Sequence, residues 1–283
     1  MQKSSFVLTG AMLFLWQSLA IADELVDAGM TEVSVGIELF RWQEFDSAGT
    51  RLLTEQGPRA YFRFSHNNES RLTDGIVYSV SGSLYGGDVE YDGQSQSTIP
   101  NTPKENTGYF SAANVDYAGV SGEVWGGYRL ANFMKGRSID LLAGVGIDSW
   151  TREIGSGINS QGATVQGVVE DYKVAYTRFG LGAENRDPIW RSLWRAGIKY
   201  PFFTKETLDI LSVGLEPQGE ASAFFMYRFQ LSDNGKLNSG TFVYFVYDSY
   251  RFSKSPIVAS GNLLVYQPRS NMDVVSLSIG RAF

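Results

Sequence analysis

"VVSLSIGRAF", residues 274–283, ends the chain and decides how the rest of it is read. Val275, Leu277, Ile279 and Phe283 share one phase of a two-residue alternation. Val274, Ser276, Ser278, Gly280 and Ala282 share the other, which is the pattern of a half-buried β-strand. A chain end is ordinarily polar and frayed, because nothing holds it. A strand that keeps its pattern up to an aromatic last residue needs a partner strand and an apolar setting at its very end.

The other end of the chain says where such a setting is found. Residues 1–22, "MQKSSFVLTGAMLFLWQSLAIA", carry one positive charge at Lys3, then a short apolar run, and close on Ala20-Ile21-Ala22. This reads as a cleaved secretory signal peptide, too short and wrongly flanked for a spanning helix. Residues 23–283 are then one exported domain. Removing Lys3 leaves 23 of the 24 basic residues against 30 acidic ones, a mild negative balance.

Composition narrows the class. No later apolar run reaches the ~18–20 residues of a spanning helix. The chain is nevertheless 14% aromatic, with 31 glycines and no cysteine. A small disulfide-stapled secreted fold is thereby excluded, and the absence of a basic cluster argues against nucleic acid as a partner. An exported, aromatic-rich, glycine-rich chain without helical spans reads as a closed antiparallel transmembrane β-barrel, which satisfies every backbone group by closing its sheet.

Ten alternating segments follow along the chain: 31–44, 57–66, 74–87, 115–131, 138–152, 170–184, 189–201, 218–231, 239–252 and 272–283. Short connections ("NNESRLT" 67–73, "NFMKGRS" 132–138, "NRDP" 185–188, "SDNGKLN" 232–238) alternate with long ones at 45–56, 88–114, 153–169, 202–217 and 253–271. That alternation predicts tight periplasmic turns and long extracellular loops, with both termini periplasmic because the strand number is even. One face of the segments is apolar, as in Val33-Val35-Ile37-Leu39, Leu141-Ala143-Val145-Ile147 and Ala223-Phe225-Tyr227-Phe229. The other face carries Glu38, Arg63, Glu123, Arg129, Asp148, Arg178, Arg195, Lys199 and Arg228. A soluble β-sandwich would place charge outside and apolar groups inside. Here the charged phase faces a narrow bore, and these nine side chains are expected to form a lumen charge network. In it Arg178, Arg195 and Arg228 face Glu38, Glu123 and Asp148, because buried charges are costly unless paired.

The terminal strand resembles the signal that the outer-membrane assembly machinery of Gram-negative bacteria reads, which implies that role for Val275, Leu277, Ile279 and Phe283. Arg281 departs from that pattern, where an apolar residue is usual. Ten strands with long outer loops resemble, distantly, the omptin surface proteases. That resemblance implies acidic pairs facing an Asp–His pair at the outer rim, with Asp88 and Asp92 ("GGDVEYDG") and Glu206 and Asp209 ("KETLDI") as the nearest carboxylates. The histidine has no counterpart. The only His is His66, at the end of a strand beside "NNES", on the predicted periplasmic side. The acidic pairs are read as solvated loop carboxylates.

With one His and no Cys, Ser-His catalysis and the usual zinc sites lack their groups, so no catalytic residue, metal or cofactor is expected. The gly-rich "GSGINSQGATVQG" (155–167) does not meet the phosphate-loop pattern and reads as a surface loop. Three functions stay open: a non-enzymatic surface scaffold or ligand-interaction protein with a narrow, charge-plugged lumen; a small-solute channel; and an omptin-like or other outer-membrane hydrolase. The first is the leading one. The expected partners are outer-membrane lipid and lipopolysaccharide, the assembly machinery, and an extracellular ligand held by the long loops.

Overall fold

The terminal strand does have partners to its last residue. In the computed structural model, Thr31 N–H donates to the Phe283 carbonyl (3.2 Å) and Phe283 N–H donates to the Thr31 carbonyl (2.9 Å). The structure describes residues 29–68, 73–96, 106–112, 114–134, 137–187, 189–209, 211, 213–233 and 236–283. The signal peptide expected at 1–22 lies outside them.

The elements in chain order are β1 (Met30–Phe45), β2 (Arg51–Asn67), β3 (Gly75–Gln96), β4 (Asn106–Ala112), β5 (Val115–Met134) and β6 (Arg137–Ile154). They continue with β7 (Gly157–Asn159), β8 (Thr164–Val165), β9 (Val168–Arg186), β10 (Trp190–Leu208), β11 (Val213–Leu215) and β12 (Gly219–Glu220). The last five are β13 (Ser222–Asp233), β14 (Lys236–Phe252), β15 (Val258–Ser260), β16 (Leu263–Val265) and β17 (Arg269–Ala282). Ten long strands run in the order β2-β1-β17-β14-β13-β10-β9-β6-β5-β3, and pairing of β2 with β3 closes the ring. Every neighbouring pair is antiparallel. All ten predicted segments are present, and the chain's two described ends lie at the same end of the barrel.

The exposed face forms an apolar belt. Val35, Ile37 and Leu39 stand on β1, Leu141, Val145 and Ile147 on β6, Phe179 and Leu181 on β9, and Leu277 and Ile279 on β17. Arg41 ends the belt on β1, as Asp88 does on β3 and Lys173 on β9. The belt matches what a hydrocarbon layer requires of a closed sheet.

The strands do not stop where the belt stops. A spanning strand needs about 9–11 residues, whereas β3 has 22 and β5 has 20. The surplus lies at the end opposite the termini. Of the predicted long loops, 45–56 shrinks to the turn 46–50, because β2 begins at Arg51. The stretch 88–114 is largely the continuation of β3 with β4, and 153–169 contains the β7–β8 hairpin. Within 202–217, β10 runs on to Leu208 and pairs with β11. Within 253–271, β15 and β16 form a separate hairpin. Register in β10 shifts between Pro201 and Phe203, where the proline offers no N–H to the ladder.

Glycines on the inner face make room for large neighbours. A Cβ at Gly119 would collide with the Tyr85 ring, and one at Gly146 with the Tyr176 ring. The bore is therefore filled by aromatic side chains that cross it, in the manner of a packed core rather than a water-filled tube.

Candidate functional site

The charged residues of the barrel interior lie in three layers, and the nine predicted from the sequence belong to the two nearer the termini. Eight of the nine are buried, and Arg63 is half-buried with its guanidinium 5.7 Å from the Tyr244 ring centre. Their partners differ in part from the pairing expected of them.

The layer nearest the termini is a closed ion network. Arg129 donates from Nε and from a terminal nitrogen to the two Asp140 oxygens, both at 2.7 Å, a planar two-bond contact. Its other nitrogen reaches Glu184 at 2.9 Å. Glu184 also accepts from Arg186 and Arg191. Beside this group Arg228 pairs with Glu32 at 2.6 Å, not with Glu38, and Ser65 Oγ donates to the same carboxylate.

In the middle layer Arg178 bridges Glu123 (3.1 Å) and Asp248. Lys199 donates to Asp248 at 2.9 Å and lies 3.1 Å from the Tyr250 ring centre, a cation–π contact in a dry site. Asp148 accepts from the hydroxyls of Tyr85 and Tyr250 rather than from an arginine. Glu38 is taken by Arg59 at 2.8 Å, whose guanidinium also sits 4.1 Å from the Phe40 ring centre. Arg195 lies 5.8 Å from the Trp125 ring. Arg178 and Glu123 thus meet across the bore, while Glu38 goes to Arg59 and Arg228 to Glu32.

The third layer, at the loop end, lies beyond the apolar belt. Among the described residues Arg152 is the one cation paired with the carboxylates there: Glu44 at 3.4 Å, Glu55, Glu170 and, close by, Glu206. Trp42 Nε1 and Gln267 Nε2 each donate to Glu44 at 3.0 Å. Tyr117 donates to Glu55 and Tyr172 to Glu170. Trp42, Trp150, Tyr172 and Phe252 pack around the group, Trp150 stacking on Tyr172 at 4.9 Å.

Glu206 is 0% exposed, and among the described residues neither of its carboxylate oxygens has a hydrogen-bond partner. This overturns its reading as a solvated loop carboxylate: β10 continues past the belt and turns Glu206 inward. Burial, then the charges of Glu170 and Glu44, hold its carboxyl well above the usual range. Burial likewise raises Glu44, with Arg152 opposing and Glu170 adding.

The remaining candidates scatter. Asp88 and Asp92 point outward on β3 and are exposed, while Asp209 is exposed at the end of β10. Asp88 faces Asp116 across the ladder, and the hydrogen bond between the two carboxyls raises Asp116. His66 lies on the outer face at the terminal end, its Nδ1 3.1 Å from Thr31 Oγ1. It is at the opposite end of the barrel from every carboxylate the omptin resemblance implied. Arg281, on the apolar phase, is tied to Asp233 and Thr241, which neutralises it at the rim. On the outer face just above the belt, Asp273 takes Arg41 (2.8 Å) and Arg251 (2.6 Å). Burial pushes its carboxyl up, but these two arginines outweigh burial and hold it below the usual range.

Several network members were readable in phase but were not singled out: Asp248, Arg59, Glu44, Arg152 and Glu170 share the inward phase of their own segments. Glu55 and Glu206 fell in stretches read as loops, so no alternation count reached them.

Over 90% of this chain and 96% of the other, the fold matches the outer membrane protease OmpT of Escherichia coli, with TM-score 0.57 and 11% identity. This is an outer-membrane-type β-barrel. Its architecture is distantly omptin-like, a closed antiparallel barrel of ten strands. The translocator domain of the Neisseria meningitidis autotransporter NalP covers 97% of this chain and 96% of its own at 8% identity and TM-score 0.35. Ail, the attachment invasion locus protein of Yersinia pestis, covers 90% of this chain and 99% of its own at 10% identity and TM-score 0.27. Scores that low add nothing to the comparison. The sequence matches no family model and no curated protein.

Proposed function

We propose that this chain is a closed scaffold of the bacterial outer membrane, inserted with both termini in the periplasm, whose function is carried by the part of the barrel that stands beyond the lipid. The observation behind this reading is the bore. Arg129, Arg152, Arg191, Lys199 and Arg228 are all at most 2% exposed, although each is a charged side chain on the inner face. A hydrated channel would leave such groups wet. Here they are paired with carboxylates and covered by Trp42, Trp125, Tyr172 and Tyr250.

The hydrolase alternative has less support. The single His lies at the wrong end and on the wrong face to serve the loop-end carboxylates. The extended hairpins β3–β4 and β7–β8 offer a platform for an extracellular ligand, and the belt would be solvated by outer-membrane lipid and lipopolysaccharide. Val275, Leu277, Ile279 and Phe283 would be read by the assembly machinery. Deleting Phe283 is expected to lower the amount of inserted, heat-modifiable barrel without lowering synthesis or export, as measured on fractionated cells.

Planar-bilayer recording of the refolded protein tests the closed bore. Silence at neutral pH is the expected result. A steady conductance in the parent protein would replace the scaffold with a small-solute channel.

A further inference from the structure

We propose that Glu206 is a proton-operated latch: as a neutral acid it lets the loop end of the barrel close, and its ionisation drives that end open. The claim rests on the closed bore argued above and adds a mechanism at one end of it.

The geometry carries it. Glu206 faces Glu170 and Tyr172 from β9, Glu44 from β1 and Arg152 from β6, with Trp42 packed on the Tyr172 ring. Glu55 of β2 and Tyr117 of β5 complete the same group through Arg152, with Tyr91 of β3 beside it. Arg152 is therefore committed to Glu44, Glu55 and Glu170, and among the described residues no second cation pairs with these carboxylates. A fourth carboxylate charge in this place would be fully buried and repelled by Glu170 and Glu44, with only the already shared Arg152 and the Tyr172 hydroxyl to oppose them. Such a group stays protonated or draws in water.

Apolar side chains cover Glu206 on its loop side. Leu208, two residues beyond Glu206, packs with Val213, Leu215 and Val265, and Leu211, Val258 and Leu263 join them. This apolar cap joins Leu211 and β11 to the β15–β16 hairpin, and Ser260 Oγ donates to the Leu211 carbonyl across it. Gln267 ties the same segment to the acidic group through Glu44, and Ser255 Oγ accepts from Gln267 N–H. One hairpin, residues 253–268, is thus fastened on one side by apolar packing next to Glu206 and on the other by a hydrogen bond to Glu44. When the Glu206 proton leaves to bulk solvent, both fastenings are strained by the same repulsion.

The test is hydrogen–deuterium exchange over residues 253–268 in the full-length barrel, corrected for the intrinsic pH dependence of exchange. Opening is expected to grow at least ~10-fold from acid to alkaline solution in the parent, and to stay flat in Glu206→Gln. Equal pH dependence in the two proteins, or a flat parent, overturns the latch. Infrared spectra supply an independent reading. A protonated-carboxyl band should be present in the parent under closed conditions and weaker in Glu206→Gln, and bands of equal intensity in the two proteins overturn the proposal. Should Glu206→Gln fail to fold, Glu44→Gln removes one repelling charge, eases ionisation of Glu206 and is expected to move opening to lower pH. An unmoved midpoint would count against the latch. Bilayer recording at neutral pH keeps the two claims apart, since a conducting parent removes the closed bore whatever the exchange data show.

Discussion

The two ends of the bore are built from the same residue types and solve opposite problems. Near the termini, three guanidiniums (Arg129, Arg186, Arg191) surround two carboxylates (Asp140, Glu184), and the contacts are short and partly bidentate. At the loop end one guanidinium, Arg152, serves four carboxylates, of which Glu206 is left without a partner. Buried charge is tolerated when each group is paired and hydrogen-bonded, and is strongly destabilising when one partner is missing. The terminal end is therefore a structural plug whose charges close among themselves. The loop end closes only with help from protons.

The largest effect that sharpens this contrast is at the terminal end. Arg129→Met leaves Asp140 and Glu184 buried with less cation around them, and should cost ~3–5 kcal/mol. Thermal unfolding in detergent at neutral pH should show it as a lowered midpoint. A loss much below ~1 kcal/mol would mean that water reaches this layer and that the two ends are alike.

Glu206→Gln should do the opposite, and only on the alkaline side. A carboxyl raised in the folded state contributes its stability below its unfolded pKa of about 4.3, and loses it as pH rises through the folded value. The variant should match the parent in acid and exceed it by ~1–2 kcal/mol in alkaline solution, read from unfolding midpoints across pH. A variant less stable than the parent at every pH would make Glu206 an ionised partner of Arg152 and erase the contrast.

The smallest effect is outside the bore. Asp273 is held below the usual carboxylate range by Arg41 and Arg251, so its contribution is present above about pH 4 and is lost as pH falls through the folded value. Arg41 is half exposed, so screening reduces the pair's worth. Asp273→Asn should cost ~1 kcal/mol or less at neutral pH, and less still at high salt. A loss as large as that of Arg129→Met would show that the outer face is as dry as the bore.

How much of this was legible depends on which physical signal reports it. The period-2 pattern in segments such as 31–44 and 138–152 is imposed by the pleat itself, so it places Val35 and Ile37 outside and Glu38 inside without further information. It also carries Arg178 and Glu123 to the same bore. It says nothing about which inward residue on one strand meets which on another. Glu38 meets Arg59 and Arg228 meets Glu32 because of stagger between strands, which is a property of the closed sheet. Glu206 was misplaced for a related reason. Its strand continues past the bulge at Pro201–Phe203, where the alternation slips and the lipid no longer demands apolar residues outside.

What the sequence determined by itself, then, is the period, the ten strands, and the sign of each face, since these follow from the pleat and from the cost of charge in hydrocarbon. The tertiary structure alone decided which charges share a layer, how far the strands rise beyond the belt, and that one end holds more carboxylates than cations. Those features depend on register around a closed ring, where a shift of two residues in any strand preserves every local pattern and changes every partner.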